Sequence, residues 1–315
     1  MRFHCRTKIT IALVAFLFAI GFSRTPFAIA QNTAQQAKPK AKSGLTQFQV
    51  DPRVQERTYL FKETNEDLKY LLFVSSKVSK DKKAPLIVTL HGLGAGPQFM
   101  LTKAAVDLAE EGGYILVGPM GYNERGWYGI PMGPMPKFDK VPPKKANNDA
   151  RAQPDAEGAA KRKPNPFFNP NDPPNLRELS EKDVMNVLAI VRKDFNVDDR
   201  RIYLMGHSMG GAGTLYLGVR YGSIWAALAP VAPAAFGLNP DTLAEIKSMP
   251  ILFVHGDVDE VVPVDVSQQW VDKAKELNMT YEFDKMPGVS HGSVITACLP
   301  SVYEFFSKHS KPASR

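Results

Sequence analysis

Beyond residue 54 the apolar and polar positions alternate in a pattern of short apolar runs and longer amphipathic stretches. Residues 57–62 and 68–75 predict a β-hairpin, with the polar run 63–67 as its turn. Residues 85–90 read as a continuous apolar strand, 104–111 as a helix stopped by Gly112-Gly113, and 114–118 as the next strand. The pattern then breaks over 122–175. Eleven prolines lie from Pro131 to Pro174, which excludes regular helix or sheet there and predicts a long insertion. Regularity returns at Leu179. Ser180-Glu181-Lys182-Asp183 has the spacing of a capping box, and Val184, Val187, Leu188 and Val191 follow at helical intervals. Strands are predicted at 201–205, 225–230, 251–255 and 280–285, and helices at 212–217, 241–249, 267–277 and 293–308. Apolar strands alternating with amphipathic helices predict an α/β fold: a mostly parallel central sheet with helices on both faces.

The first thirty residues stand outside this pattern. Arg2, Arg6 and Lys8 precede an apolar run over 9–22, and Ala28-Ile29-Ala30 has the form of a cleavage site. That is the layout of a secretory signal peptide, and the run is shorter than the ~20 residues of a spanning helix. Export to the periplasm or the extracellular space is therefore expected, with no stable membrane anchor after cleavage. Residues 31–50, rich in Gln, Ala, Lys and Ser, read as a flexible linker, and 51–315 as one catalytic-sized domain. Residues 1–30 carry four of the 39 Lys and Arg and no acid, so their removal lowers the formal net charge from +7 to +3. The charge then no longer argues for a nucleic-acid partner. Cys298 is the one cysteine left after cleavage, so no internal disulfide is expected and Cys298 reads as a small buried apolar group. No metal or organic cofactor is expected.

Gly206-His207-Ser208-Met209-Gly210-Gly211 lies between a predicted strand and a predicted helix. It resembles the nucleophile elbow of α/β-hydrolases, in which a sharp turn lifts the serine hydroxyl clear of the backbone. A serine hydroxyl needs a base. Of the six histidines, His4 is in the leader, His309 in the polar tail, His91 before a Gly-rich turn, His207 inside the elbow, and His255 at a strand end. His291, between the last strand and the last helix, occupies the position of the base in this topology. The third member must be a carboxylate. Asp257, Asp259 and Glu260 all qualify by chemistry and chain order. Backbone N–H groups serve as oxyanion donors; Met209, after the nucleophile at a helix N-terminus, supplies one.

His255-Gly256-Asp257-Val258-Asp259-Glu260-Val261-Val262-Pro263 resembles the acid loop of dienelactone-hydrolase-like and carboxylesterase-like α/β-hydrolases. That resemblance implies Asp259 as the acid and Asp257 as a loop-shaping residue. Leu90-His91-Gly92-Leu93-Gly94 resembles the His-Gly oxyanion loop of esterases in the superfamily, which implies Leu93 as the second N–H donor. The resemblance covers about residue 85 to the end. Residues 196–203 and 229–233 are similar to polyhydroxybutyrate-depolymerase-like and feruloyl-esterase-like proteins. The chain lacks the cysteines of the disulfide-rich polyester depolymerases. A secreted serine esterase acting on a small-molecule or oligomeric ester is therefore the expectation. Trp127 and Tyr128, at the start of the insertion, are candidates for an apolar substrate-binding wall. Two alternatives remain. A peptidase of prolyl-oligopeptidase type would use the same three residues, and a non-catalytic binding protein would lack one of them.

Overall fold

A computed structural model of the chain describes residues 50–131 and 169–313. The expected signal peptide, the linker over 31–49, and the centre of the Pro-rich insertion with residues 161–163 lie outside them. The hairpin strands are β1 (Gln55–Phe61) and β2 (Glu66–Val74), with Asn65 in the left-handed region at φ 57°. β3 (Ala84–Leu90) is buried at every position, and the helix α1 (Lys103–Gly112) follows. The Thr102 side chain caps α1 at its N-terminus, and Gly113, at φ 71°, rather than Gly112, turns the chain at its end. The remaining elements are β4 (Ile115–Pro119), α2 (Leu176–Asp194), β5 (Val197–His207), α3 (Met209–Arg220), β6 (Ala227–Val231), β7 (Ile251–Gly256), α4 (Asp265–Glu276), β8 (Tyr281–Met286), α5 (Val294–Ala297) and α6 (Leu299–Lys308).

The eight strands form one sheet in the order β1-β2-β4-β3-β5-β6-β7-β8. β1 and β2 pair antiparallel, as do β2 and β4; every other pair is parallel. The period of two along the strands divides the interior. Leu86, Val88, Ile202, Leu204, Ile251 and Phe253 join the core beneath α2, α3 and α4. Ile87, Tyr203, Met205, Leu252 and Val254 join the second core beneath α1, α5 and α6. The central strands are buried on both faces, which is why their sequences are continuous apolar runs.

Three expectations change. α2 begins at Leu176 after Asn175, and Ser180 lies inside it. Leu176 and Leu179 already belong to the buried face. Ser180 Oγ accepts the Tyr128 N–H at 3.0 Å, and Asp183 accepts from the Tyr59 hydroxyl and the Tyr122 N–H, so neither closes a capping box. The expected helix at 241–249 is a 3-10 turn, Pro240–Ile246, opened by Asn239 accepting from the Asp241 N–H. The last helix is two. Pro300 has no N–H with which to continue the ladder, and the break falls at Cys298. No described helix is long and apolar enough to cross a membrane.

Candidate active site

Ser208 stands at the end of β5, in the middle of the sheet, with φ 58° and ψ −116°. A non-glycine residue in such backbone costs on the order of 1–3 kcal/mol and persists only where its surroundings impose it. Here the imposition is visible. The Ser208 N–H donates to Val231 O at 2.9 Å, and its carbonyl accepts from the Ala212 and Ala234 N–H groups at 3.0 and 2.9 Å. The glycines of the motif exist because backbones touch. A Cβ on Gly206 would collide with Gly210 O, and one on Gly210 with Leu90 O.

His291 lies in the loop between β8 and α5. Its Nδ1 is 2.7 Å from Asp259 Oδ2, and the side chains are 12% and 1% exposed. The carboxylate can only accept, so the His291 proton sits on Nδ1 and leaves Nε2 free to take a proton. The other oxygen of Asp259 accepts the N–H groups of Val261 and Val262, both at 2.8 Å. Burial raises the Asp259 pKa. Hydrogen bonds from His255, His291, Val262 and Val261 outweigh that and hold the carboxyl well below the usual range. Asp257 does not reach His291; its Oδ1 accepts the Gly288 N–H at 2.6 Å and shapes the neighbouring loop.

Two histidines that the sequence reading set aside belong to this site. His207 Nε2 donates to the His291 carbonyl at 2.8 Å, and the two rings lie 4.5 Å apart between centroids. Burial, with His291 alongside, pushes the His207 pKa down to about 3, so it stays neutral. Among the described residues this strap, not a direct bond from Ser208 Oγ, joins the elbow to the His291 loop. His255, wholly buried at the end of β7, has its Nε2 at 3.2 Å from Asp259 Oδ2 and 2.9 Å from Val262 O. Both lie inside the quoted motifs, but the sequence does not assign them these contacts: His207 meets a loop 84 residues away, and His255 folds back on Asp259 and Val262 within its own loop.

The turn after β3 lies against the elbow. A Cβ on Gly92 would stand 3.4 Å from Ser208 Cβ and 3.3 Å from His207 Nδ1. The N–H groups of Gly94 and Ala95 go to Glu124 O and Gly92 O, whereas that of Leu93 meets no acceptor among the described residues. Met209 is the first residue of α3, so its N–H is not used in the helix. His91 is buried, with Nε2 at 2.8 Å from Met120 O, and burial lowers its pKa. The segment that follows β4 thus braces this turn at Met120 and Glu124. Arg125 closes the base of the insertion with two bonds of 3.0 Å to Asp172.

Tyr128 is a correction to the expected substrate wall. It is completely buried, its ring lies against Gly213, and its hydroxyl donates to His91 O at 3.0 Å. A side chain with no exposed surface touches no substrate, and its role is to join α3 to the turn after β3. Trp127 is half-buried, with the Arg177 guanidinium 5.4 Å from its ring centre.

A profile of the phospholipase/carboxylesterase family matches residues 174–310. The carboxylesterase SOBER1 of Arabidopsis thaliana is 29% identical over 116 residues, 34% of this chain and 50% of that protein. The bifunctional acetylxylan esterase/xylanase XynS20E of Neocallimastix patriciarum is 34% identical over 80 residues, 25% of this chain and 11% of that protein. The chain therefore spans half or less of the curated relatives it matches. Among solved structures, a ferulic acid esterase from Anaeromyces mucronatus, in complex with ferulic acid, superposes with a TM-score of 0.56 at 20% identity, covering 81% of this chain and 90% of that one. The sheet order, the strained serine after β5 and this superposition agree on an α/β-hydrolase fold, and over residues 174–310 the chain is similar to the phospholipase/carboxylesterase family.

Proposed function

We propose that the protein is a serine esterase that hydrolyses carboxylic esters of small-molecule or oligomeric substrates through an acyl-enzyme. The observation that carries this reading is the 2.7 Å bond from His291 to buried Asp259, beside a serine held in strained backbone. Ser208 Oγ attacks the ester carbonyl carbon and gives its proton to His291 Nε2. The new imidazolium keeps its Nδ1–H on Asp259. The oxyanion takes hydrogen bonds from the N–H groups of Met209 and Leu93. Collapse expels the alcohol, which leaves with the proton from His291. Water then repeats the sequence on the acyl-enzyme and releases the acid. The bond from Ser208 Oγ to His291 Nε2 forms in the substrate complex, as such bonds commonly tighten there. The chemistry calls for no cofactor. The acetylxylan and ferulic acid esterases among the relatives support an ester substrate. Hydrolysis of short p-nitrophenyl esters by wild type and by Ser208→Ala tests the reading. Loss of turnover and of fluorophosphonate labelling in the variant is expected, and equal rates would remove Ser208 from the mechanism.

We further propose that the protein is exported and cleaved after Ala30. The basic start and apolar run of the leader support this. N-terminal sequencing of exported protein is expected to begin at Gln31, and retention of the full leader in the cytoplasm would refute it.

A further inference from the structure

Asp259 is held by two imidazoles. His291 approaches Oδ2 from the loop after β8, and His255 approaches the same oxygen from the end of β7. His255 has no exposed surface, and neither does Ser267 on α4, whose hydroxyl lies 2.7 Å from His255 Nδ1. The proton positions follow from the partners. Val262 O and Asp259 Oδ2 are acceptors only, so His255 carries its proton on Nε2, bonded to Val262 O at 2.9 Å, with the Asp259 Oδ2 beside it at 3.2 Å from Nε2. Nδ1 is then a lone pair, and Ser267 is its donor. A neutral imidazole of the opposite tautomer would turn a lone pair on the carboxylate.

We propose that His255 is a positioning residue for the reaction: its Nε2–H, locked in place by Ser267, fixes the Asp259 carboxylate and tempers its basicity towards His291. The inference rests on the Ser208 mechanism proposed above. With Oδ1 committed to two backbone N–H groups, the His255 and His291 protons meet on Oδ2 and leave the carboxylate no second rotamer with equal partners. The other groups around the pair do not compete for this role. His207 faces His291 as a neutral ring and bonds its carbonyl, the Glu260 carboxylate lies 3.4 Å from the His291 N–H, and Asp257 is turned to Gly288. Without the His255 proton, Asp259 is more basic and less fixed. His291 then binds its proton more tightly in the free enzyme, and the acid limb of the rate profile moves to higher pH.

Two substitutions separate the two contacts. His255→Asn keeps a polar partner for Ser267 but is too short to reach Asp259. His255→Gln carries an amide N–H close to the position of Nε2. In His255→Asn we expect kcat on a p-nitrophenyl ester to fall about tenfold with KM unchanged, a small part of the 10²–10⁴ a general base contributes. The acid limb of kcat/KM is expected to move to higher pH. His255→Gln is expected to restore both. A wild-type profile in His255→Asn, or a His255→Gln as impaired as His255→Asn, overturns the proposal. The wild-type protein supplies a readout independent of any variant: long-range 15N–1H NMR of His255 at neutral pH is expected to show a protonated Nε2 and a bare Nδ1, and the reverse tautomer refutes the arrangement. Ser208→Ala separates the two levels of argument. If it is inactive while His255→Asn behaves as wild type, the positioning role alone fails. If Ser208→Ala is as active as wild type, the esterase mechanism fails, and the NMR result still stands as a test of the His255 contact.

Discussion

Replacement of Asp259 by Asn changes one oxygen for an NH₂ group and leaves the volume of the site alone. Two backbone N–H groups already point at Oδ1, so the amide oxygen must stay there. The NH₂ therefore faces His291 Nδ1 and His255 Nε2, both of which present protons in the wild type. His291 has to turn a lone pair to the amide and move its proton to Nε2, where it can no longer accept one from Ser208. At 2.7 Å, and with an effective dielectric constant of about 20, the attraction between imidazolium and carboxylate is worth roughly 6 kcal/mol before desolvation. A wrong-tautomer histidine in a serine hydrolase costs about 10⁴ in kcat, which corresponds to about 5.5 kcal/mol. The two figures agree, so Asp259→Asn is expected to lower kcat by about 10⁴ with little change in KM. The assay is steady-state hydrolysis of a p-nitrophenyl ester, with Asp257→Asn as the companion, since Asp257 only accepts the Gly288 N–H. Thermal unfolding of both variants reports on folding. Retention of kcat within tenfold in folded Asp259→Asn, or an equal loss in Asp257→Asn, would refute the reasoning.

Burial raises the pKa of Asp183, so the unfolded chain ionises this group first and stability falls as pH rises from the unfolded carboxyl value through the folded one; denaturant titrations should show a flatter fall in Asp183→Asn over that window. Asp259 is shifted the other way. Its contribution to stability is present above the unfolded carboxyl value and lost as pH falls below it, so wild type is expected to lose its stability margin over Asp259→Asn in acid, and a constant margin would contradict the shift. Tyr128→Phe strips one hydroxyl from His91 O, an expected loss of about 1–3 kcal/mol in unfolding free energy for the buried carbonyl left without its donor; unchanged stability would mean the bond contributes nothing. Cys298 has no exposed surface, and burial pushes its thiol up to about 12, so Ellman's reagent is expected to modify it only on unfolding, and rapid reaction of the native protein would contradict the packing of α5 against α6.

Much of the site is legible in the chain because its parts are local. The elbow is a six-residue turn whose glycines are demanded by contacts with neighbouring backbone, and the order of serine, acid and histidine follows from strand order. Misreadings arose where a local signal met a competing tertiary partner. Ser180 resembles a cap, but its hydroxyl is taken by the Tyr128 N–H. Tyr128 sits in a short apolar, Gly- and Pro-containing run at the start of the insertion, and its ring fills space against Gly213. A short apolar run says nothing about which side of a loop a ring will face.

Periodicity alone determined the alternation of strands and helices, since burial on one or both faces writes itself into the spacing of apolar residues. Composition and the motif together determined that Ser208 is the residue to test. The acid-loop resemblance already pointed to Asp259 over Asp257, which the contacts of both side chains match; only the tertiary structure decided that His207 straps the elbow to the base loop and that His255 lies against the acid. The meeting of Asp259 with His291 and the His207 strap depend on contacts between loops far apart in the chain, and the His255 contact on how the loop after β7 folds back on itself. Sequence spacing carries the period of an element; the direction in which a loop side chain points is set by the backbone hydrogen bonds and packing around it.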